Sequence, residues 1–147
     1  FELKVLIVTD KDGKVYVSME NKLLLESGSW TVGSESKKAV DLVGKVLGDN
    51  PEISVLIEGH TDNDKITGTI GGGVENNWDL STKRATAIVN ILSANAKVKK
   101  ENLTAAGRGE YAPLMSNETA EGKAKNRRIE IILTPKLDEI SKLMNEL

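Results

Sequence analysis

The sequence predicts an α/β two-layer sandwich: a mixed β-sheet with helices packed on one face, an N-terminal β-hairpin extension and a short C-terminal helix. Two helical patterns interleaved with strand-like runs predict the layers, and β-branched stretches at the start predict the hairpin. An aromatic content of only 3% leaves the core to Val, Ile, Leu and Ala. A chain of 147 residues, 39% hydrophobic and 29% charged, is long enough to close one such core without disulfides or metal.

Residues 3 to 8 and 14 to 19, "LKVLIV" and "KVYVSM", read as strands joined by "TDKDG", with Gly13 supplying a positive φ. Asp10 and Asp12 invite comparison with a calcium loop, but the full spaced set of oxygen ligands is missing, and the segment reads as a turn. "KLLLESGSW" (22 to 30) predicts a short strand running into a Gly/Ser turn. "SESKKAVDLVGKVLGDNP" then offers Ser capping candidates and sets Ala39, Val40, Leu42, Val43, Val46 and Leu47 at helical spacing, with Gly48 and Pro51 ending the helix. "EISVLIEGH" places Ile53, Val55 and Ile57 on one face and Leu56 on the other, as in a buried strand.

A Gly-rich loop follows from 62 to 78, then a helix from about Leu80 to Asn95 and a strand over 102 to 107. A further loop leads to a last strand, 127 to 133, and Leu137, Ile140, Met144 and Leu147 mark a closing amphipathic helix. The organisation expected is a hairpin extension at 1–21, a core at 22–134 and a C-terminal helix at 135–147, with no internal repeat.

Net charge is -2 and no run of Lys or Arg stands out, which argues against nucleic acid or an anionic membrane as partner. No apolar run approaches the ~20 residues that span a bilayer, and the start lacks the charged-then-apolar pattern typical of a signal peptide. Phe1 enters directly into a strand-like run, as in a mature or trimmed fragment. The absence of cysteine fits both a cytosolic protein and a disulfide-free secreted one.

The helix near 80 to 95 contains a misfit. At about 100° per residue, Leu80, Ala85, Ala87, Ile88, Val89, Ile91 and Leu92 fill one arc, and Arg84 falls inside it. With the helix starting near Leu80, Arg84 also sits in the first turn, where the dipole disfavours a cation by ~0.3–1 kcal/mol. Such an arginine snorkels, pairs with a structural carboxylate such as Asp62 or Glu58, or meets an anionic ligand. Asp62 lies at the carboxyl end of a buried strand, the edge where open α/β sheets usually hold ligands. A carboxylate and a guanidinium at one rim suit a zwitterion, the acid taking an ammonium and the arginine a carboxylate.

"GHTDN" (59 to 63), "NxxLSxxRA" (77 to 85), "LTAAGRGEYAP" (103 to 113) and "NxTAEGKAKNRRIEIIL" (117 to 133), with "LLESGSW" upstream, resemble the OmpA-like peptidoglycan-binding domain shared with flagellar-motor stator proteins and cell-wall-linked lipoproteins. The likeness covers about residues 22 to 134 in order. It implies a non-catalytic module that grips the diaminopimelate residue of the peptidoglycan stem peptide, with no cofactor and no metal. Its parent would be anchored at the outer membrane and face the periplasm. By motif, the resemblance makes Asp62 the acid for the ammonium, Arg84 the guanidinium for the carboxylate, Asn77 a further hydrogen-bonding side chain, and Thr61 and Arg127 residues lining the pocket. Alternation along the last strand puts Arg128 on the opposite face from Arg127, in a structural ion pair.

The stretch between Asp62 and Asn77 departs from the family pattern, with Gly68, Gly71, Gly72 and Gly73 in a longer loop that reads as a lid beside the pocket. No Lys-Ser/Thr follows these glycines, so a phosphate-cradling loop is disfavoured. One histidine, His60, and no cysteine leave a wall hydrolase without a triad or a zinc set, and His60 reads as structural. A module that has lost its ligand and serves in assembly is the third reading. Asn117-Glu118-Thr119 matches a glycosylation acceptor formally and reads as a turn.

Overall fold

The computed structural model describes residues 7–20, 33–66 and 71–134. Five strands form one open sheet in the order β1-β2-β5-β3-β4. These are β1 (Ile7–Lys11), β2 (Lys14–Glu20), β3 (Ser54–His60), β4 (Leu103–Gly107) and β5 (Arg128–Thr134). The helices are α1 (Ser34–Asp49), α2 (Asn77–Ser93) and a short α3 (Ala120–Asn126). β3 and β4 run parallel, joined through α2, while β1·β2, β2·β5 and β3·β5 are antiparallel. The sheet is therefore mixed, as the interleaving predicts.

The hairpin is tighter than expected. Asp12 and Gly13 alone make the turn, at φ 53° and 76°, and Lys11 pairs with Lys14. Two successive positive φ values match the right-handed twist of the flanking strands, so Thr9, Asp10 and Lys11 belong to β1 rather than to a loop. Residues 3 to 6 of the expected first strand, the 22 to 30 strand, Gly68 and the C-terminal helix lie outside the described residues.

One face of the sheet supplies Val17, Met19, Val55, Ile57, Ile129 and Ile131, which bury against Ala39, Val40, Val43 and Leu47 of α1 and Ala85, Ile88 and Leu92 of α2. The apolar face of α1 is narrower than its spacing predicts, because Leu42 and Val46 remain exposed. Its cap is Gly33 with no side-chain bond rather than a serine, and the helix runs through Gly48 to a C-cap at Asn50. Two departures have local causes. α3 falls where the sequence predicts loop, because "AEGKAKN" has no apolar period; its start is set by Thr119, whose hydroxyl accepts from the Gly122 amide at 2.9 Å. α2 begins at Asn77, capped by the Asn76 side chain on the Asp79 amide at 3.0 Å. Among the described residues no helix is long and apolar enough to cross a membrane.

Two glycines on the sheet decide how closely α2 docks. A Cβ at Gly59 would stand 1.9 Å from the Ser81 carbonyl oxygen, and one at Gly107 would stand 2.1 Å from the Thr82 hydroxyl. With hydrogen in both places, the first turns of α2 lie directly on the carboxyl ends of β3 and β4.

Candidate functional site

Three chain segments converge where β3 ends. The β3·β5 register pairs His60 with Arg128, so Thr61 and Asp62, leaving β3, lie beside Arg127, the residue that enters β5. Parallel pairing with β4 brings Arg108 and Gly109 to the same edge, where the Arg108 amide donates to the Gly59 carbonyl at 3.0 Å and the Thr61 amide to the Gly109 carbonyl at 2.9 Å. The N-terminal turns of α2 complete the enclosure.

Asp62, only 6% exposed, is the centre of this arrangement. Its Oδ2 accepts from Arg127 Nη1 at 2.6 Å, and its Oδ1 accepts from the Asp64 amide at 2.9 Å. The Thr61 hydroxyl donates to the Asp62 carbonyl at 2.8 Å, and Asn77 Nδ2 donates to the carbonyls of Asp62 and Asp64 at 3.4 and 3.0 Å. Thr61 and Asn77 are themselves buried and fix the backbone that carries the acid. The two oxygens of a carboxylate offer about four acceptor sites, so Asp62 can take a further donor from a ligand.

Arg84 is 2% exposed and sits between Leu80 and Ile88, which are also buried. Burial pulls its guanidinium down to about 10, Asp62 pushes it back up, and Arg127 lowers it. It remains a cation at neutral pH, held inside the protein and facing one acid and a second arginine. An incoming carboxylate would meet two guanidiniums there. Because α2 starts at Asn77, Arg84 lies two turns into the helix rather than in the first. Its unfavourable surroundings come from desolvation and not from the helix dipole.

The five residues singled out from the sequence, Thr61, Asp62, Asn77, Arg84 and Arg127, are thus brought to one place. Their supports carry no periodic or compositional mark in the sequence. Lys123 binds Asp64 at 2.6 Å, and Ser81 Oγ accepts from the Gly109 amide at 3.0 Å while donating to the Trp78 carbonyl at 3.0 Å. Asn126, fully buried, accepts from the Leu114 and Met115 amides at 2.7 and 3.0 Å and donates to Met115 O and Asn117 Oδ1. Asn126 and Ser81 stand inside the 117 to 133 and 77 to 85 motifs, the one sequence signal that marks them.

A second charged cluster lies one register step inward. His60 Nε2 is 3.3 Å from Glu58 and 3.5 Å from Glu130, Arg128 Nε is 3.4 Å from Glu130, and Arg108 is 3.7 Å from Glu58. Arg128 also donates to the Ala112 carbonyl at 2.9 Å. Glu58, His60 and Glu130 bring one ligand atom each within 4.8 Å of the others, a spacing that a cation could accept. The guanidiniums of Arg108 and Arg128 already supply the countercharge, so the cluster reads as an internal ion network.

Fold and site together define a two-layer α/β domain that carries a buried acid, flanked by two arginines, at the carboxyl end of a central strand. The chain belongs to the OmpA family, whose model matches residues 25–127. It is 34% identical over 120 residues to Motility protein B of Bacillus subtilis, covering 82% of this chain and 45% of that protein. It is 40% identical over 83 residues to the Peptidoglycan-binding protein ArfA of Mycobacterium tuberculosis, covering 56% of this chain and 23% of that protein. Among solved structures, the cell wall anchor of the T6SS from Pseudomonas aeruginosa superposes with a TM-score of 0.79 at 29% identity, over 90% of each chain. The chain thus spans about half the length of Motility protein B and about a quarter of ArfA.

Proposed function

We propose that this domain binds peptidoglycan without chemical turnover, gripping the diaminopimelate residue of the stem peptide. Asp62 takes the side-chain ammonium and Arg84 the adjoining carboxylate, while Arg127 holds Asp62 in place and lines the entrance. The observation that carries this reading is a nearly buried acid faced by two arginines at the end of β3, an arrangement complementary to a zwitterion. One relative is named a peptidoglycan-binding protein and one solved neighbour a cell wall anchor, which supports the wall as partner. On this reading the domain serves in the periplasm, where it ties an outer-membrane protein or lipoprotein to the wall.

Incubation with purified diaminopimelate-type wall tests the proposal. Co-sedimentation without release of soluble fragments is the expected result. Released fragments would favour the hydrolase reading, and a protein left in the supernatant would favour a ligand-free assembly module.

A further inference from the structure

The sequence contains only two Trp, two Tyr and one Phe, yet one Trp and one Tyr stand together on the surface beside the charged site. Trp78 is 50% exposed and Tyr111 63% exposed, with ring centroids 5.1 Å apart and planes 28° from parallel. Trp78 follows Asn77 directly, and Tyr111 stands two residues after Gly109, whose carbonyl holds the Thr61 amide. The pair is built rather than incidental. Ser81 Oγ ties the Gly109 amide to the Trp78 carbonyl, Thr82 Oγ1 adds a bond to that carbonyl at 2.8 Å, and the Tyr111 amide donates to Arg108 O at 3.3 Å. Gly109 lies against both rings, where even a Cβ would make ordinary contact at 3.5 Å with carbons of each, and its φ of 59° sets the turn that brings Tyr111 to Trp78.

An aromatic pair in water forgoes the burial that usually places such rings in a core or an interface. Nothing charged is paired with these rings in the described contacts, so the surface they offer is an electron-rich, flat apolar one. A pyranose ring is its complement, because the C–H bonds on one face of the sugar are weakly positive and the ring is rigid.

We propose that Trp78 and Tyr111 form a platform for one sugar ring of the glycan, contiguous with the Asp62/Arg84/Arg127 site. This rests on the peptidoglycan reading, in which a ligand holding its peptide at Asp62 carries amino sugars at the other end of that peptide. The platform would add affinity for the wall polymer over the free peptide and set the direction in which the stem enters.

The test measures calorimetric affinities of the whole chain for two soluble probes: a diaminopimelate-containing stem peptide, and the same peptide attached to the wall's amino-sugar disaccharide. Wild-type protein should bind the second about three- to tenfold more tightly, the size of one aromatic stacking contact. Tyr111→Ala should bring the ratio of the two affinities to about one, and Tyr111→Phe should keep it. Equal wild-type affinities, or a ratio unchanged in folded Tyr111→Ala, overturn the platform while leaving the charged site standing. A disaccharide-peptide that binds through Tyr111 when the bare peptide does not bind at all supports the platform and overturns the stem-peptide reading. Binding of neither probe overturns both and leaves the aromatic pair as a surface for a protein partner.

Discussion

Arg127 holds Asp62 at 2.6 Å across the β3·β5 junction, joining two residues that are 65 apart in the chain. The pair exists because antiparallel register brings the exit of one strand beside the entrance of the other. It places a cation on the acid, so a ligand ammonium shares Asp62 with Arg127 rather than meeting it bare.

Asp62→Asn keeps a side-chain oxygen to accept from the Asp64 amide but removes the charge that both arginines face. The domain should stay folded by circular dichroism and lose co-sedimentation with diaminopimelate-type wall, a loss of about 2–5 kcal/mol of binding. Arg84→Ala should lose sedimentation to a similar degree. Wild-type-like sedimentation by both variants would sink the assignment.

Diaminopimelate-type wall should bind in preference to lysine-type wall. Lysine offers the ammonium to Asp62 but lacks the second carboxylate, leaving Arg84 desolvated without that anion. Equal pull-down by the two walls would show that Arg84 does not read the carboxylate.

Substituting two glycines by Ala should have opposite effects. Gly59→Ala puts a methyl group against the Ser81 carbonyl and should destabilise the domain by at least about 1–3 kcal/mol, lifting α2 from β3. Gly44→Ala, inside α1 with its nearest atoms at an ordinary 3.5 Å, should stabilise it by about 0.5–1 kcal/mol. Urea midpoints check both, and a tolerated Gly59→Ala would mean that the close approach of α2 is not required.

Acid should weaken the fold through the inner ion network. The hydrogen bond with His60 holds the Glu130 carboxyl below its ordinary value of 4.5, burial opposes this, and Arg128 adds to it. A depressed carboxyl contributes stability that is present above its unfolded-state pKa and lost as pH falls through the folded one, so the loss begins near pH 4.5 and deepens below it. Glu130→Gln should be less stable than wild type at pH 7 and show a shallower decline between pH 5 and 3, with Glu58, Arg108 and Arg128 still in place. Parallel declines in the two proteins would remove Glu130 from the account.

Local patterns in the sequence determined the mixed sheet, the two main helices, and the anomaly of Arg84 on an apolar arc. Each of these depends on periodicity or on one residue in the wrong company, and both survive in a linear reading. The motif likeness further brought Asp62, Arg84, Asn77, Thr61 and Arg127 into one group before any geometry. Tertiary structure alone decided how they meet. That Arg127 binds Asp62, that Asn77 spends its amide on the loop backbone, and that Trp78 stacks on Tyr111 all depend on strand register and on the docking of α2 over Gly59 and Gly107. Register and docking are set by the summed packing of residues distant in the chain, and no local pattern encodes that sum. The short helix α3 escaped for a related reason: it is held by a cap and by the buried Asn126 rather than by an apolar stripe.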